Sequence, residues 1–109
     1  MTVKIMSSAE LKKKLEAEEN LLLIDCRNPE ELVGGYIQQA KLIPLSDFDG
    51  IPEFLEGKEE VEIVVQCRSG ARSMQACNIL YTNGFTNLSN LDGGILAWIE
   101  EGYPIKKKE

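Results

Sequence analysis

The chain is 109 residues long, 43% hydrophobic and 28% charged, with a formal charge of −6; that is enough to close one core, and residues 1–109 are read as one domain. So acidic a balance argues against a nucleic-acid partner, and no apolar run nears the ~20 residues that a membrane span needs. Histidine is absent and the three cysteines form no Cys-x-x-Cys pair, which excludes Cys-His catalysis and leaves no metal-ligand set, so no metal or organic cofactor is expected.

The first eight residues lack the basic start and apolar core of a secretory signal, and the odd cysteine count does not suggest a disulfide framework. A reducing cytoplasm is the simplest setting. Val3-Lys4-Ile5-Met6 reads as a short strand. Ser7-Ser8-Ala9-Glu10 offers a capping box for a helix that sets Leu11 and Leu15 on one face and ends near Asn20. Residues 21–25 are a continuous apolar run closed by an acid, the pattern of a strand covered on both faces. Asn28-Pro29-Glu30-Glu31 starts a brief helix, with proline at its first position and glutamate three residues after the cap, and Gly34-Gly35 stops it.

Residues 40–45 read as another strand, ending at Pro44. Ser46 caps a helix toward Leu55, in which Phe48, Ile51 and Leu55 keep a rough helical period interrupted by Gly50 and Pro52. After a polar turn at 57–60, the β-branched run from Val61 to Gln66 forms a strand. A helical pattern opens around Arg72 or Ser73 and stops at Asn83-Gly84, with Ala76, Ile79 and Leu80 toward the core and Cys77 as an ordinary core thiol. Residues 85–90 supply the last strand. Gly93-Gly94 either let the backbone approach the preceding loop or simply turn the chain, and they lead into an amphipathic helix with Ile95, Leu96, Trp98 and Ile99, Trp98 reading as core. Gly102 and Pro104 end it, and residues 106–109 read as a solvated tail. Strands alternating with helices predict an α/β fold: a central, mostly parallel five-stranded sheet flanked by helices on both faces.

The chemistry concentrates in Cys67-Arg68-Ser69-Gly70-Ala71-Arg72-Ser73, just past the carboxyl end of a strand, where ligands bind in open parallel sheets. Arg68 and Arg72 bring positive charge, amides of a tight turn holding Gly70 can form an anion nest, and the following helix presents its positive end. Such surroundings lower a cysteine pKa from about 8.5 toward roughly 3.5–7.5, giving a nucleophile at neutral pH without a general base. The same groups suit an anionic substrate. A cysteine after a strand is otherwise a buried structural thiol; two arginines and a glycine within six residues favour a functional loop at Cys67.

This loop resembles the active-site loop of the rhodanese family of sulfurtransferases, and the similarity runs along most of the chain. Leu22-Leu23-Ile24-Asp25-Cys26-Arg27 resembles the family's early strand ending in Asp-x-Arg. The segment from Glu31 to Pro44, with Gly35-Tyr36-Ile37, resembles its Gly-His-Ile-Pro-Gly-Ala stretch, and Leu91-Asp92-Gly93-Gly94 with Trp98 resembles its closing motif. Tyr36 stands where a histidine is usual and Gln38-Gln39 replace Pro-Gly, which touches a turn and not the loop.

The resemblance implies a rhodanese-like fold and sulfur transfer through a persulfide on Cys67, from a small anionic donor such as thiosulfate to a thiophilic acceptor, cyanide or a thiol. Arg68, Ser69, Gly70, Ala71, Arg72 and Ser73 would bind the donor, while Asp25 and Arg27 support the site from behind. A sulfur-relay protein is a further candidate partner, and a protein-to-protein carrier or binding module with little small-molecule turnover is the alternative. The phosphate loop of tyrosine phosphatases needs five residues between cysteine and arginine, whereas Cys67 and Arg72 enclose four. Cys26, beside Asp25 at a strand end, is either a bystander or a thiol able to close a disulfide with Cys67.

Overall fold

The computed structural model describes residues 3–108; Met1 and Thr2 of the N-terminal stretch and Glu109 of the tail lie outside them. In chain order the elements are β1 (Val3–Met6), α1 (Ser8–Glu16), β2 (Leu21–Asp25), β3 (Ala40–Leu42), β4 (Glu62–Gln66), α2 (Ala71–Thr82), β5 (Leu88–Leu91) and α3 (Gly94–Glu100). Short 3-10 turns occupy Pro29–Gly34, Leu45–Phe48 and Glu53–Leu55.

The five strands form one sheet in the order β1-β5-β4-β2-β3, and every pairing is parallel. β4 lies at its centre, where Ile63, Val64 and Val65 are fully buried; each such side chain contributes about 1.5–3 kcal/mol of transfer free energy. On one face Ile24, Ile63 and Val65 pack beneath Ala76, Cys77 and Leu80 of α2, with Phe48 and Leu55 from the 3-10 turns. On the other, Leu23, Val64 and Leu91 pack beneath Leu11 of α1 and Ile95 and Trp98 of α3. Helices therefore cover both faces, and β4 delivers Cys67 at its carboxyl end from the centre of the sheet.

Element boundaries move from the expected ones for local reasons. Ser7 Oγ accepts the Glu10 N–H at 3.1 Å, so α1 starts where the box places it. It closes at Glu16 rather than near Asn20, because Glu18 takes φ 53° and turns the chain out of the helix. The strand expected at 40–45 ends at Leu42, and the helix expected at 46–55 is two 3-10 turns. Pro44 and Pro52 flank those turns at their N-terminal ends, and Gly50-Ile51-Pro52 between them cannot carry an α-helical ladder. Residues 29–34 are likewise 3-10, with Glu31 Oε2 accepting the Asn28 N–H at 2.9 Å.

β5 begins at Leu88 rather than Phe85, since Phe85 still closes α2 by donating its N–H to Leu80 O. The tail is less free than expected. Lys106 exchanges both backbone hydrogen bonds with Tyr36, each 2.8 Å, so that position carries an antiparallel bridge. Trp98 is buried, as its reading required, and its indole N–H reaches Pro104 O at 2.8 Å. No helix among the described residues is long and apolar enough to cross a membrane.

Candidate active site

Parallel β4 and the start of α2 aim the Cys67–Gly70 turn at one point. Gly70 has φ 118°, a conformation L side chains rarely adopt, and that kink lets α2 begin at Ala71 rather than Arg72 or Ser73. Its N–H then points back and donates to Cys67 Sγ at 3.1 Å. From the other side α3 holds the turn: the Ile95 N–H donates to Cys67 O at 2.9 Å and the Leu96 N–H to Arg68 O at 3.2 Å. A Cβ on Gly94 would lie 2.5 Å from Arg68 O and 2.6 Å from Cys67 O. The closer of the two readings of Gly93-Gly94 thus holds, because only a residue without a side chain lets α3 approach the turn.

Cys67 is only 1% exposed, deeper than a nucleophile at the mouth of a cradle. Its cover on the loop side is polar. Ser73 Oγ stands 3.3 Å from Sγ, and the hydroxyl also reaches Gly70 O and Asn90 Oδ1. One proton faces three acceptors, and the charged sulfur is the strongest of them. Asn90 donates in turn to Gly70 O at 3.1 Å, tying the loop to β5.

The Cys67 thiol is pulled down to about 4 from its ordinary value near 9. Hydrogen bonding from the Cys26 thiol is the largest cause; burial opposes it, and the Ser73 hydroxyl with the Ser73 and Gly70 amides supplies the rest. Cys26 is pushed up correspondingly, first by its hydrogen bond to Cys67, then by burial and by the charge on Cys67. The expected direction for Cys67 holds, but its chief agents are short-range donors and not the two arginines.

Arg72 explains why. Its guanidinium makes a bidentate pair with Glu31, Nη1 to Oε2 at 2.7 Å and Nη2 to Oε1 at 2.9 Å. Arg72 holds the Glu31 carboxyl down at about 2, so the pair stays charged and much of the cation is already compensated. Arg72 thus borders the loop with its guanidinium already engaged by Glu31. Arg68 differs: it is exposed, makes no ion pair among the described residues, and borders a groove of about 210 Å³ with Arg27, Glu31, Ile95, Leu96 and Ile99. Ser69 and Ala71 are exposed beside it.

Asp25 and Arg27 are buried and paired, with Nη2 to Oδ2 at 2.7 Å and Nε to Oδ1 at 3.0 Å. Arg27 also donates to Gly35 O at 3.0 Å and Glu31 O at 3.4 Å. It clips down the segment that carries Glu31, and Glu31 fixes Arg72. Sequence reading placed Glu31 in a cap and passed over Asn90. A glutamate beyond its capping role and an asparagine inside a strand that is buried throughout were the available signals.

Residues 7–101 match the family model described as Rhodanese-like domain. A Bacillus subtilis protein bearing the name "Putative sulfurtransferase YtwF" is 45% identical over 105 residues, spanning 95% of this chain and 98% of that one. A protein named "Sulfurtransferase" from Allochromatium vinosum is 39% identical over 105 residues, 95% of each chain. The crystal structure of a rhodanese-related protein from Thermoplasma volcanium superposes with a TM-score of 0.83 at 32% identity, covering 96% of this chain and 99% of that one.

Proposed function

This chain belongs to the rhodanese-like domain family, two of its relatives are named as sulfurtransferases, and from that premise we propose a double displacement centred on Cys67. The thiolate attacks the outer sulfur of an anionic donor such as thiosulfate; the S–S bond of the donor breaks and sulfite leaves with the electron pair. Cys67 then carries a persulfide. A thiophilic acceptor, cyanide or a thiol, removes the outer sulfur and restores the thiolate.

The observation that carries this reading is the set of donors on Cys67 Sγ, which hold a thiolate ready below neutral pH. Arg68 is the cation left to meet the donor's oxyanion and the departing sulfite, and Gly70 and Ser73 keep negative charge on sulfur while it changes partners. Arg72, through Glu31, positions the start of α2. Because Cys67 is covered, the exposed Arg68–Ser69 segment has to part to admit one sulfur atom. The apolar wall of Ile95, Leu96 and Ile99 beside Arg68 gives a protein acceptor a place to rest.

Intact mass after incubation with thiosulfate tests the reading. Wild type should gain one sulfur atom, and Cys67→Ser should gain none. A wild type that stays unmodified overturns persulfide formation from this donor, and equal loading of the variant overturns Cys67 as the carrier.

A further inference from the structure

Asp25 and Gln66 are register partners in parallel β2 and β4, and the ladder continues one residue further, where the Cys26 N–H donates to Gln66 O at 2.9 Å. Cys26 and Cys67 are therefore neighbours at the ends of adjacent strands. Both face the same side of the sheet, in one buried cluster, and both are free thiols with 1% exposure. Adjacent strands lie about 4.8 Å apart, inside the window of about 4.4–6.8 Å that Cα atoms span in a disulfide. Cys77, in α2, has no such neighbour: its thiol meets Ser89 O.

We propose that Cys26 and Cys67 form a two-thiol centre that reduces hydroperoxides by closing an intramolecular disulfide. The Cys67 thiolate attacks the terminal oxygen of the hydroperoxide; the O–O bond breaks and the alkoxide leaves as an alcohol after taking a proton from solvent, leaving a sulfenic acid on Cys67. The Cys26 sulfur then attacks Cys67 Sγ. The S–O bond breaks, the Cys26 proton goes to the departing hydroxide, and water is released. Two thiols are oxidised by two electrons as one hydroperoxide is reduced, and an external dithiol reverses the disulfide.

The placement also times the second step. While Cys67 is a thiolate, its charge and its hydrogen bond hold the proton on Cys26. Oxidation to the sulfenic acid removes that charge, and with it the main restraint on Cys26. Cys26 is thus quiet beside the resting nucleophile and released beside the oxidised one. This centre uses the thiolate but no sulfur donor, so it and the sulfur-transfer reading fail separately.

Hydrogen peroxide in several-fold excess followed by a non-reducing tryptic map decides it, since trypsin separates residues 15–27 from residues 59–68. The expected product is those two peptides joined, with the intact protein lighter by two hydrogens and restored by dithiothreitol. Cys26→Ser should instead accumulate Cys67 carrying two or three oxygens, which dithiothreitol does not reverse. Over-oxidised Cys67 without the joined peptides in wild type overturns the proposal, as does identical over-oxidation of wild type and Cys26→Ser. Should the variant not fold, the wild-type map alone gives the answer.

Discussion

Cys67 and Cys77 share one face of the sheet, one buried cluster and nearly the same lack of exposure, yet their thiols are driven in opposite directions. Burial alone pushes Cys77 up to about 12, while Cys67 falls to about 4. The difference lies in which way the neighbouring dipoles point. Cys77 has a carbonyl for a partner, Ser89 O at 3.7 Å, which offers a thiolate no donor. Cys67 has an amide, a hydroxyl and a thiol that donate. Desolvation penalises both charges; only at Cys67 do donors return more than burial removes.

The largest expected effect comes from alkylating the two cysteines against pH. Thiolate abundance and intrinsic nucleophilicity oppose each other, so the gap is smaller than the pKa difference suggests; at about pH 6 Cys67 should still react at least a hundredfold faster than Cys77. The slopes should differ as well. Between about pH 6 and 8 the Cys67 rate stays flat, whereas the Cys77 rate climbs about tenfold per unit. Because the folded pKa of Cys67 lies below its unfolded value, the stabilisation from its ionisation is full above pH 9, shrinks as pH falls and is gone below about 4. Glu31, lowered from 4.5 to about 2, adds its own loss of stability only below about pH 5, where its unfolded form protonates, so the limb between about pH 5 and 9 reports the thiol and not the ion pair. A rising Cys67 rate through neutral pH would erase the contrast between the two cysteines.

Next in size is Cys26→Ala. It removes the donor that contributes most to the Cys67 thiolate, and the midpoint of the alkylation curve should move up by about one to two units, given about 1.5–3 kcal/mol for a hydrogen bond to a charged group. Cys26→Ser retains a donor and should recover much of the shift. An unmoved midpoint in Cys26→Ala would transfer the credit to Ser73 and the loop amides.

Where the contrast between the cysteines comes from also separates what was readable in the chain from what was not. The β-branched run at Val61 to Gln66, the Ser7 box and the stop at Asn83-Gly84 are local signals, and each produced its element within a few residues of the expected place. The 46–55 segment failed because a rough apolar period outweighed Gly50 and Pro52, whose backbone limits decide such a short stretch. In the site, the loop itself is contiguous and was legible. Its partners are not: Glu31 lies 41 residues from Arg72, and Asn90 lies 17 from Ser73. Cys26 became meaningful only with the β2–β4 register, which no residue in either strand announces by itself.

The smallest effect should be that of Arg72→Ala, although two arginines beside a cysteine first pointed to the loop. The guanidinium faces Glu31 with both ends, and a compensated pair exerts a weaker field on a sulfur that is bound by nearer donors. The Cys67 midpoint should therefore rise by less than about half a unit, and stability should fall by about 1 kcal/mol or less, as for a partly exposed ion pair. Glu31→Gln is the sharper complement. It leaves the cation uncompensated, so the midpoint should shift the other way while donor handling changes little. If Arg72→Ala raises the midpoint by more than one unit, the long-range charge governs Cys67 after all, and its difference from Cys77 is one of field rather than of hydrogen bonds.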